Sequence, residues 1–250
     1  MKLSVCLAAY NGELFISDQI ASILAQLGDH DELLIGDDCS TDNTVKIILS
    51  FNDPRIQIHT STVNIGCVKN FERLIDLANG DVIFLSDQDD IWENNKVVSV
   101  KKILLEYPNV TIVHHALALM DDKGVVYKKW RKNLKEGCLS SKFFLLKQMV
   151  RGQMYGCALA FRSSLKPYIL PIPENAYAHD DWIALVSGVM GKIYSLNKPL
   201  IRYRQHANNY TVKNKLSYVN KVKIRIIQLS LVLQILRRVF VTKFLILARR

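Results

Sequence analysis

The feature that most constrains the fold is an alternation of short apolar runs with helical repeats over the first ninety residues. Apolar runs over residues 3–9, 32–38, 55–61 and 81–86 are each bounded by polar or glycine-containing turns. Between them, apolar residues recur at intervals of three and four, which is helical spacing. Parallel strands need crossover connections, so three successive strand–helix units predict a mostly parallel sheet flanked by helices. The sequence therefore predicts an α/β fold.

Length and cysteine usage narrow the class of protein further. A chain of 250 residues can bury a substantial core as one large domain or two small ones. The five cysteines are scattered without metal-binding spacing, which indicates reduced thiols in a cytoplasmic protein. Asn11-Gly12-Glu13 interrupts the first apolar run, which favours a first β-strand over a signal peptide.

Polar side chains gather where the predicted strands end. Ligands of open parallel sheets bind beyond the carboxyl ends of the strands. Tyr10-Asn11-Gly12, Asp37-Asp38 and Asp87–Asp90 all fall at that edge. The sequence contains neither the P-loop pattern nor the dinucleotide-binding glycine pattern. A phosphate group at this edge would have to be bound in another way.

Asp87-Gln88-Asp89 follows a buried run and forms a D-x-D element. Carboxylates packed this closely repel one another and lose hydration near a strand end, which points to a cation between them. Two carboxylates on a turning loop can share Mg²⁺ or Mn²⁺ with a diphosphate. The alternative is a solvated turn, or acids at the start of a helix.

Other acidic and histidine residues are candidates for binding or catalysis. Asp37-Asp38 can accept hydrogen bonds from a base or ribose, or can cap the next helix. His179-Asp180-Asp181-Trp182 opens a predicted helix, where a carboxylate can act as a general base or simply favour the helix start. His206 can meet a phosphate or a metal, or lie on the surface.

The second half of the chain is less regular. Residues 110–121 and 154–162 have the composition of strands, and residues 178–191 that of a helix. Residues 128–150 are basic and mixed, consistent with a loop and a helix. Residues 192–206 indicate an extended, hairpin-like segment.

Charge is distributed very unevenly along the sequence. Residues 182–250 contain fourteen of the 33 Lys and Arg and none of the 23 acids, so residues 1–181 carry 19 − 23 = −4. The end of the chain is predicted to form basic amphipathic helices, but charges interrupt every window long enough to span a membrane. We expect it to lie on an anionic membrane surface; the alternative is packing on the catalytic domain or a second subunit.

The motifs, taken in order, resemble those of family 2 glycosyltransferases of the GT-A fold. The segments that carry the resemblance are AAYNGE, DDCSTDNT, NIGCVKNFERLIDLANGDVIFLSDQDDIW, YGCALAFR, HDDW and YRQHANN. The rhamnosyltransferase-like group that builds bacterial surface polysaccharides is the most similar. The resemblance implies inverting transfer of a sugar from dTDP-rhamnose or a UDP-sugar to a saccharide or lipid-linked saccharide. Because such acceptors are often lipid-linked, docking of the basic tail would place the active site near them, so we expect a protein peripheral to the inner face of the cell membrane.

The resemblance implies how the chain is divided and which residues bind the donor. A catalytic domain would cover residues 1–212, with a nucleotide-sugar half to about residue 110 and an acceptor half over 111–212, before a helical tail over 213–250. Asp38 would hold the base and Asp87 the ribose. The other implied donor-binding residues are Ala9, Tyr10, Asn64, Gly66 and Asn70.

The resemblance further assigns metal-binding and catalytic roles. Asp89 and His206 would bind Mg²⁺ or Mn²⁺ on the diphosphate, and Arg204 lies in the segment that can close over it. Asp180 matches the general base. The family's helix often reads H-D-W-W, and Asp181 at the third position leaves the base open between Asp180 and Asp181.

Two other functions compete with a transferase. A haloacid-dehalogenase-type phosphatase would use Asp87 as nucleophile and Asp89 as acid, but Ile91 stands where that motif usually has Thr or Val. A non-enzymatic nucleic-acid-binding protein would use the basic tail, but its charges alternate with aliphatic rather than aromatic residues. We therefore expect no nucleic-acid partner, and the sequence leaves homo-oligomer formation open.

Overall fold

The computed structural model describes residues 1–130, 135–139, 145, 154–206 and 218–247. Within these residues, ten strands form one sheet in the order β3-β2-β1-β4-β9-β6-β10-β5, with β7 paired to β6 and β8 to β10. The strands are β1 (Leu3–Ala9), β2 (Glu32–Asp37), β3 (Ile56–Thr60), β4 (Val82–Asp87), β5 (Ile91–Trp92), β6 (Val110–Met120), β7 (Val126–Trp130), β8 (Gly137–Leu139), β9 (Leu159–Arg162) and β10 (Lys192–Arg204).

Helices cover both faces of this sheet. They are α1 (Ile16–Leu24), α2 (Thr44–Ser50), α3 (Cys67–Leu77), α4 (Lys96–Glu106), α5 (Lys166–Ile169), α6 (His179–Met190) and α7 (Tyr218–Leu247). Short 3₁₀ turns at Gly156–Ala158 and Ser163–Leu165 flank β9. The α/β class predicted from the strand–helix alternation is confirmed.

The first four strands place their carboxyl ends side by side. β1 pairs in parallel with β2 and with β4, and Cys6 is in register with Leu34 on one side and Leu85 on the other. β3 adds to the outer edge of β2, also in parallel. As a result, the loops after β1, β2 and β4 leave the sheet at one edge.

The core consists of two apolar layers, one on each face of the sheet. Side chains along β1 alternate, so Leu3, Val5 and Leu7 join α1 and α4 on one face, and Cys6 joins α3 and α6 on the other. Each fully buried large apolar side chain in such layers contributes about 1.5–3 kcal/mol relative to exposure. The two layers hold the sheet edge in place.

The second half differs from the sequence-based expectation in two places. Residues 192–204 form one strand and not a hairpin, because β10 runs parallel to β6 along its whole length. Pro199 has no backbone N–H to donate, and the register of the pairing shifts on both sides of it. β9 covers only Leu159–Arg162, because residues 156–158 form a 3₁₀ turn instead of extending the strand. Most of the loop and helix expected over 128–150 lies outside the described residues.

The described part of the tail forms one helix, α7, that packs on the rest of the protein along one face. Leu231 and Ile235 are buried against α5 and α6. Arg238 donates to the carbonyls of Tyr168 and Ile169, each at 3.3 Å. Packing on the rest of the protein, which was the alternative to membrane binding, therefore occurs. The start of the helix, expected near residue 213, lies outside the described residues. Among the described residues, no helix combines the length and apolarity that crossing a bilayer requires.

Candidate active site

The candidate site is built from the loops that leave β1, β2 and β4. The amide of Asp38 donates to the Ala9 carbonyl at 2.8 Å, which joins the first two loops. Gln88 clamps the third loop to the first: its Oε1 accepts from the amide of Tyr10 at 2.8 Å, and its Nε2 donates to the Tyr10 carbonyl at 2.9 Å. Gly12 leaves room for this clamp, because a Cβ there would lie 2.2 Å from Gln88 Oε1 and would displace the Gln88 amide. The ring of Tyr10 is half exposed, at 47%.

Asp38 fixes the loop that precedes α3. It is almost fully buried and accepts from the amides of Ile65 at 2.7 Å and Gly66 at 2.8 Å, one on each carboxylate oxygen. Gly66 has a φ of +84°, a conformation that favours glycine. Asn64 lies exposed just before these amides. Each carboxylate oxygen retains acceptor capacity for a ligand beyond the loop amide it already binds.

Asn70 lies below the sheet edge, in the contact between α3 and β2. Its Nδ2 donates to the Gly36 carbonyl at 2.7 Å and its Oδ1 accepts from Arg73 at 2.8 Å. The side chain is 1% exposed. Both ends of the amide are thus used by the protein, and this placement does not favour direct contact between Asn70 and a sugar nucleotide.

Carboxylates from separate segments meet above the ends of β1 and β4. Burial raises the pKa of Asp87 to about 7, and the nearby carboxylates of Asp89 and Asp180 act in the same direction. Burial also raises the pKa of the Cys67 thiol to about 12, with further contributions from Asp87, Asp180 and Asp38. Acids distant in sequence therefore lie within electrostatic range of one another around Cys67.

Asp89 and His206 form the more open part of this cluster. His206 Nε2 lies 2.8 Å from Asp89 Oδ2, and both side chains remain about 15% exposed. A carboxylate oxygen and an imidazole nitrogen are suitable donors for Mn²⁺, and the carboxylate alone is suitable for Mg²⁺. This pair could hold the predicted divalent ion.

A second group, Asp87, Asp90 and Cys157, brings its potential ligand atoms within 4.8 Å of one another. Burial, followed by the neighbouring acids, raises the pKa of Asp90 and of the Cys157 thiol well above their usual values. A thiol and a carboxyl that burial shifts towards their neutral forms are a poor donor set for a hard cation. We regard this group as the support beneath the Asp89–His206 pair.

Arg204 is buried beneath the segment that carries His206. Its Nε donates to the Asp89 carbonyl at 2.9 Å, its Nη1 donates to the Asp122 carbonyl at 3.1 Å, and its backbone amide donates to Asp90 Oδ1 at 3.0 Å. The guanidinium also lies 4.6 Å from the centre of the Phe15 ring. Arg204 therefore holds the acidic loop, residues 87–90, in this structure.

Asp180 lies in the first turn of α6, next to the cluster. Its Oδ2 accepts from the amide of Gly156 at 3.3 Å, and its Oδ1 accepts from the amide of Asp181 at 2.8 Å. Burial raises the pKa of Asp180 although these amide hydrogen bonds oppose the shift. Both Asp180 and Asp181 are partly exposed, and the described contacts place Asp180 nearer to the other acids.

Several residues that shape this site did not stand out in the sequence. Gln88 occupies the middle of the D-x-D element, and Lys96 lies fully buried at the start of α4. Gly156 and Cys157 belong to the 3₁₀ turn next to Asp180. Gln88 lies inside the D-x-D element, so the sequence does contain a local signal for it. The burial of Lys96 depends on elements that are distant in the sequence, so no local pattern indicates it.

Comparison with known proteins identifies a matching family. The family model described as "Glycosyl transferase family 2" matches residues 4–169. The chain is 34% identical over 235 residues to "dTDP-rhamnosyl transferase RfbG" of Shigella flexneri, which covers 87% of this chain and 77% of that protein.

A second relative and a solved structure are also similar. The chain is 31% identical over 148 residues to "UDP-Glc:alpha-D-GlcNAc-diphosphoundecaprenol beta-1,3-glucosyltransferase WfgD" of Escherichia coli, covering 55% of this chain and 58% of that one. The crystal structure of S. aureus TarS 1-349 in complex with UDP-GlcNAc has a TM-score of 0.73 at 18% identity, covering 96% of this chain and 73% of that chain. At this identity the structural likeness shows the fold alone.

The burial of His179 predicts how stability depends on pH. The His179 ring stacks on Phe71 at 4.0 Å, and burial lowers the pKa of His179 from 6.5 to about 3. The unfolded chain then binds more protons than the folded one at acidic pH. Stability from this group is present above pH 6.5 and is lost as pH falls towards 3, at about 1.4 kcal/mol per pH unit.

His179→Gln should therefore show a shallower loss of unfolding free energy than the wild type between pH 6.5 and 4, measured by urea denaturation. The carboxylates titrate in both proteins, so the difference between the two curves isolates the histidine. His30→Gln is the control, because His30 is exposed and should leave the slope unchanged. Parallel curves for wild type and His179→Gln would contradict the assignment.

Proposed function

The chain belongs to glycosyl transferase family 2, and from this premise we propose that it transfers a sugar from a nucleoside-diphosphate donor with inversion at the anomeric carbon. The acceptor is a saccharide or a lipid-linked saccharide, and the product belongs to a cell-surface polysaccharide. Membership of this family favours a transferase over the phosphatase and the nucleic-acid-binding protein that the sequence left as alternatives. The convergence of Asp38, Asp87 and Asp180 around Cys67 is the observation that carries the proposal.

The relatives support the proposed donors. RfbG is named as a dTDP-rhamnosyl transferase, and WfgD is named as a transferase that uses UDP-Glc. The donor proposed for this chain is therefore dTDP-rhamnose or a UDP-sugar. A thermal-shift screen of dTDP, UDP, GDP and their sugars with Mn²⁺ would identify the base.

Donor binding is assigned to the loops after β1, β2 and β4. Ala9, Tyr10 and Asp38 line the base pocket, and Asp87 contacts the ribose. The half-exposed ring of Tyr10 supports this arrangement, because it can cover an aromatic base. Asn64 and Gly66 bring the next loop towards the sugar.

Asp89 and His206 are assigned to a Mg²⁺ or Mn²⁺ ion, which they fit by their donor atoms and exposure. When bound, the ion would supply positive charge against the charge that develops on the leaving diphosphate. Asp89 binds His206 directly in this structure, so metal binding requires a neutral imidazole and replaces that hydrogen bond. Arg204 is assigned to hold the segment that closes over the diphosphate.

Asp180 is assigned as the general base. It accepts the proton of the acceptor hydroxyl while the new C–O bond forms and the bond from the sugar to the diphosphate oxygen breaks. The raised pKa of Asp180 supports the role, because a base is most effective when its pKa approaches the working pH. The amides of Gly156 and Asp181 orient its carboxylate.

Replacing Asp180 and Asp181 one at a time tests which of them is the general base. Asp180→Asn should lower kcat by about 10²–10⁴-fold, because general-base assistance is typically that large. Binding of UDP or dTDP with Mn²⁺, measured by calorimetry, should survive. Asp181→Asn is the matched variant in the same helical turn and should keep most of the transfer rate. The reverse order of effects would move the base to Asp181.

The metal assignment predicts a different pattern for Asp89. Asp89→Ala should weaken binding of UDP or dTDP in the presence of Mn²⁺, while binding with EDTA should change little. Asp76→Ala, an exposed acid on α3, is the control and should leave both affinities unchanged. Equal Mn²⁺-dependent affinities in Asp89→Ala and wild type would remove Asp89 from the metal site.

We further propose that α7 holds the protein at the inner face of the cell membrane, on the cytoplasmic side, as a tail distinct from a catalytic domain over residues 1–212. One face of α7 packs on α5 and α6, and the other exposes large apolar side chains. These are Ile226, Leu229, Leu233, Leu236, Phe240 and Val241. Lys223 and Arg237 are also exposed on this helix, and no acid follows Asp181. An apolar stripe accompanied by cations fits an anionic lipid surface.

Substitution on the exposed stripe tests this attachment without exposing the core. Leu233→Gln combined with Phe240→Gln should lower flotation of the full chain with vesicles that contain anionic lipid. Leu105→Gln, an equally exposed leucine on α4, should float like the wild type. Unchanged flotation of the double variant would overturn the proposal. A loss of dimer instead, measured by light scattering, would assign the stripe to a second copy of the chain.

A further inference from the structure

Lys96 is a fully buried lysine beneath the candidate site. It opens α4, and its side chain is 0% exposed. Its Nζ donates to the Cys157 carbonyl at 2.7 Å and lies 4.1 Å from the centre of the Trp92 ring. Removing an ammonium group from water is costly unless charges and dipoles inside the protein compensate.

The Lys96 side chain also lies within electrostatic range of the acidic loop. Burial lowers the pKa of Lys96 to about 7, whereas the nearby carboxylates of Asp90 and Asp87 favour its charged form. A neutral donor would satisfy the Cys157 carbonyl with a smaller loss of hydration. Asp90, which is buried, and Asp87, which is partly exposed, both favour the charged form of this side chain. Lys96 is therefore a hydrogen-bond donor to the turn that also interacts electrostatically with the acidic loop.

Lys96 also contacts the turn that orients the proposed base. Cys157, whose carbonyl accepts from Lys96, directly follows Gly156, whose amide donates to Asp180 Oδ2 at 3.3 Å. The Cys157 side chain reaches back towards the acidic loop, with its sulphur within 4.8 Å of oxygens of Asp87 and Asp90. The buried side chain of Lys96 thus connects the acidic loop, on the sugar-donor side of the site, with the Gly156–Ala158 turn, on the acceptor side.

We propose that Lys96 is a positioning residue that holds the acidic loop and the Gly156–Ala158 turn in register, so that Asp180 faces the donor. This inference rests on the proposed function. In this proposal Lys96 contacts neither the substrate nor the general base, and it acts on Asp180 through Cys157 and Gly156. Its loss should therefore disturb the alignment of Asp180 more than the binding of the nucleotide.

Lys96→Met tests the inference, because methionine keeps an apolar stem and removes both charge and donor. We expect kcat to fall at least 10-fold while the KM for the nucleotide sugar changes less than 3-fold. Lys166→Met is the matched control: Lys166 donates to the carbonyls of Asp76 at 2.8 Å and Ala78 at 2.9 Å, away from the acidic loop. It should lower the Tm without lowering kcat.

A double variant separates positioning from general destabilisation. If Lys96 acts through Asp180, Lys96→Met should cost little further rate in the Asp180→Asn background, because the two losses are not additive. Full additivity, or a normal kcat in Lys96→Met, would overturn the inference. Lys96→Gln carries the same test if the Met variant does not fold. A wild-type chain without transferase activity would instead refute the proposed function, so the two failures are distinguishable.

Discussion

The need to keep several carboxylates together at one edge of a sheet is the constraint on which the rest of the structure depends. Asp87 is the last residue of β4, Asp89 and Asp90 follow in the next loop, and Asp180 approaches them from α6. Burial and mutual repulsion both disfavour the charged forms. The protein offsets this cost with basic side chains placed on two sides. Lys96 lies below the cluster and Arg204 lies beside it.

The sheet holds the loops that carry these carboxylates in a defined geometry. Since β1 is paired in parallel on both sides, the loops that follow β1, β2 and β4 cannot move apart without breaking the central ladders. Short polar contacts then fix each loop to its neighbour, through Gln88 to Tyr10 and through Asp38 to the amides before α3. A site of this kind needs such support, because binding and catalysis both depend on preorganised groups.

The tail shows how one helix can serve two environments. Leu231 and Ile235 complete the core over α5 and α6, whereas Leu233 and Phe240 point away from the domain. A helix that is apolar nearly all round is normally buried on all sides. Here one face is left uncovered within the described residues, and the bordering basic residues favour lipid as its proposed partner. The same packing would fix the orientation of the catalytic edge relative to a membrane.

The sequence by itself determined the α/β class, the four parallel strands and the edge at which the acids gather, because hydrophobic periodicity and turn residues act locally. The ordered motifs also indicated the family. Only the tertiary structure decided that β10 is one continuous strand, that Asn70 is enclosed by protein, and that α7 packs by one face. The same holds for Lys96, whose partner Cys157 is 61 residues away in the sequence. A contact of that kind depends on how strands and helices pack, which no local pattern records.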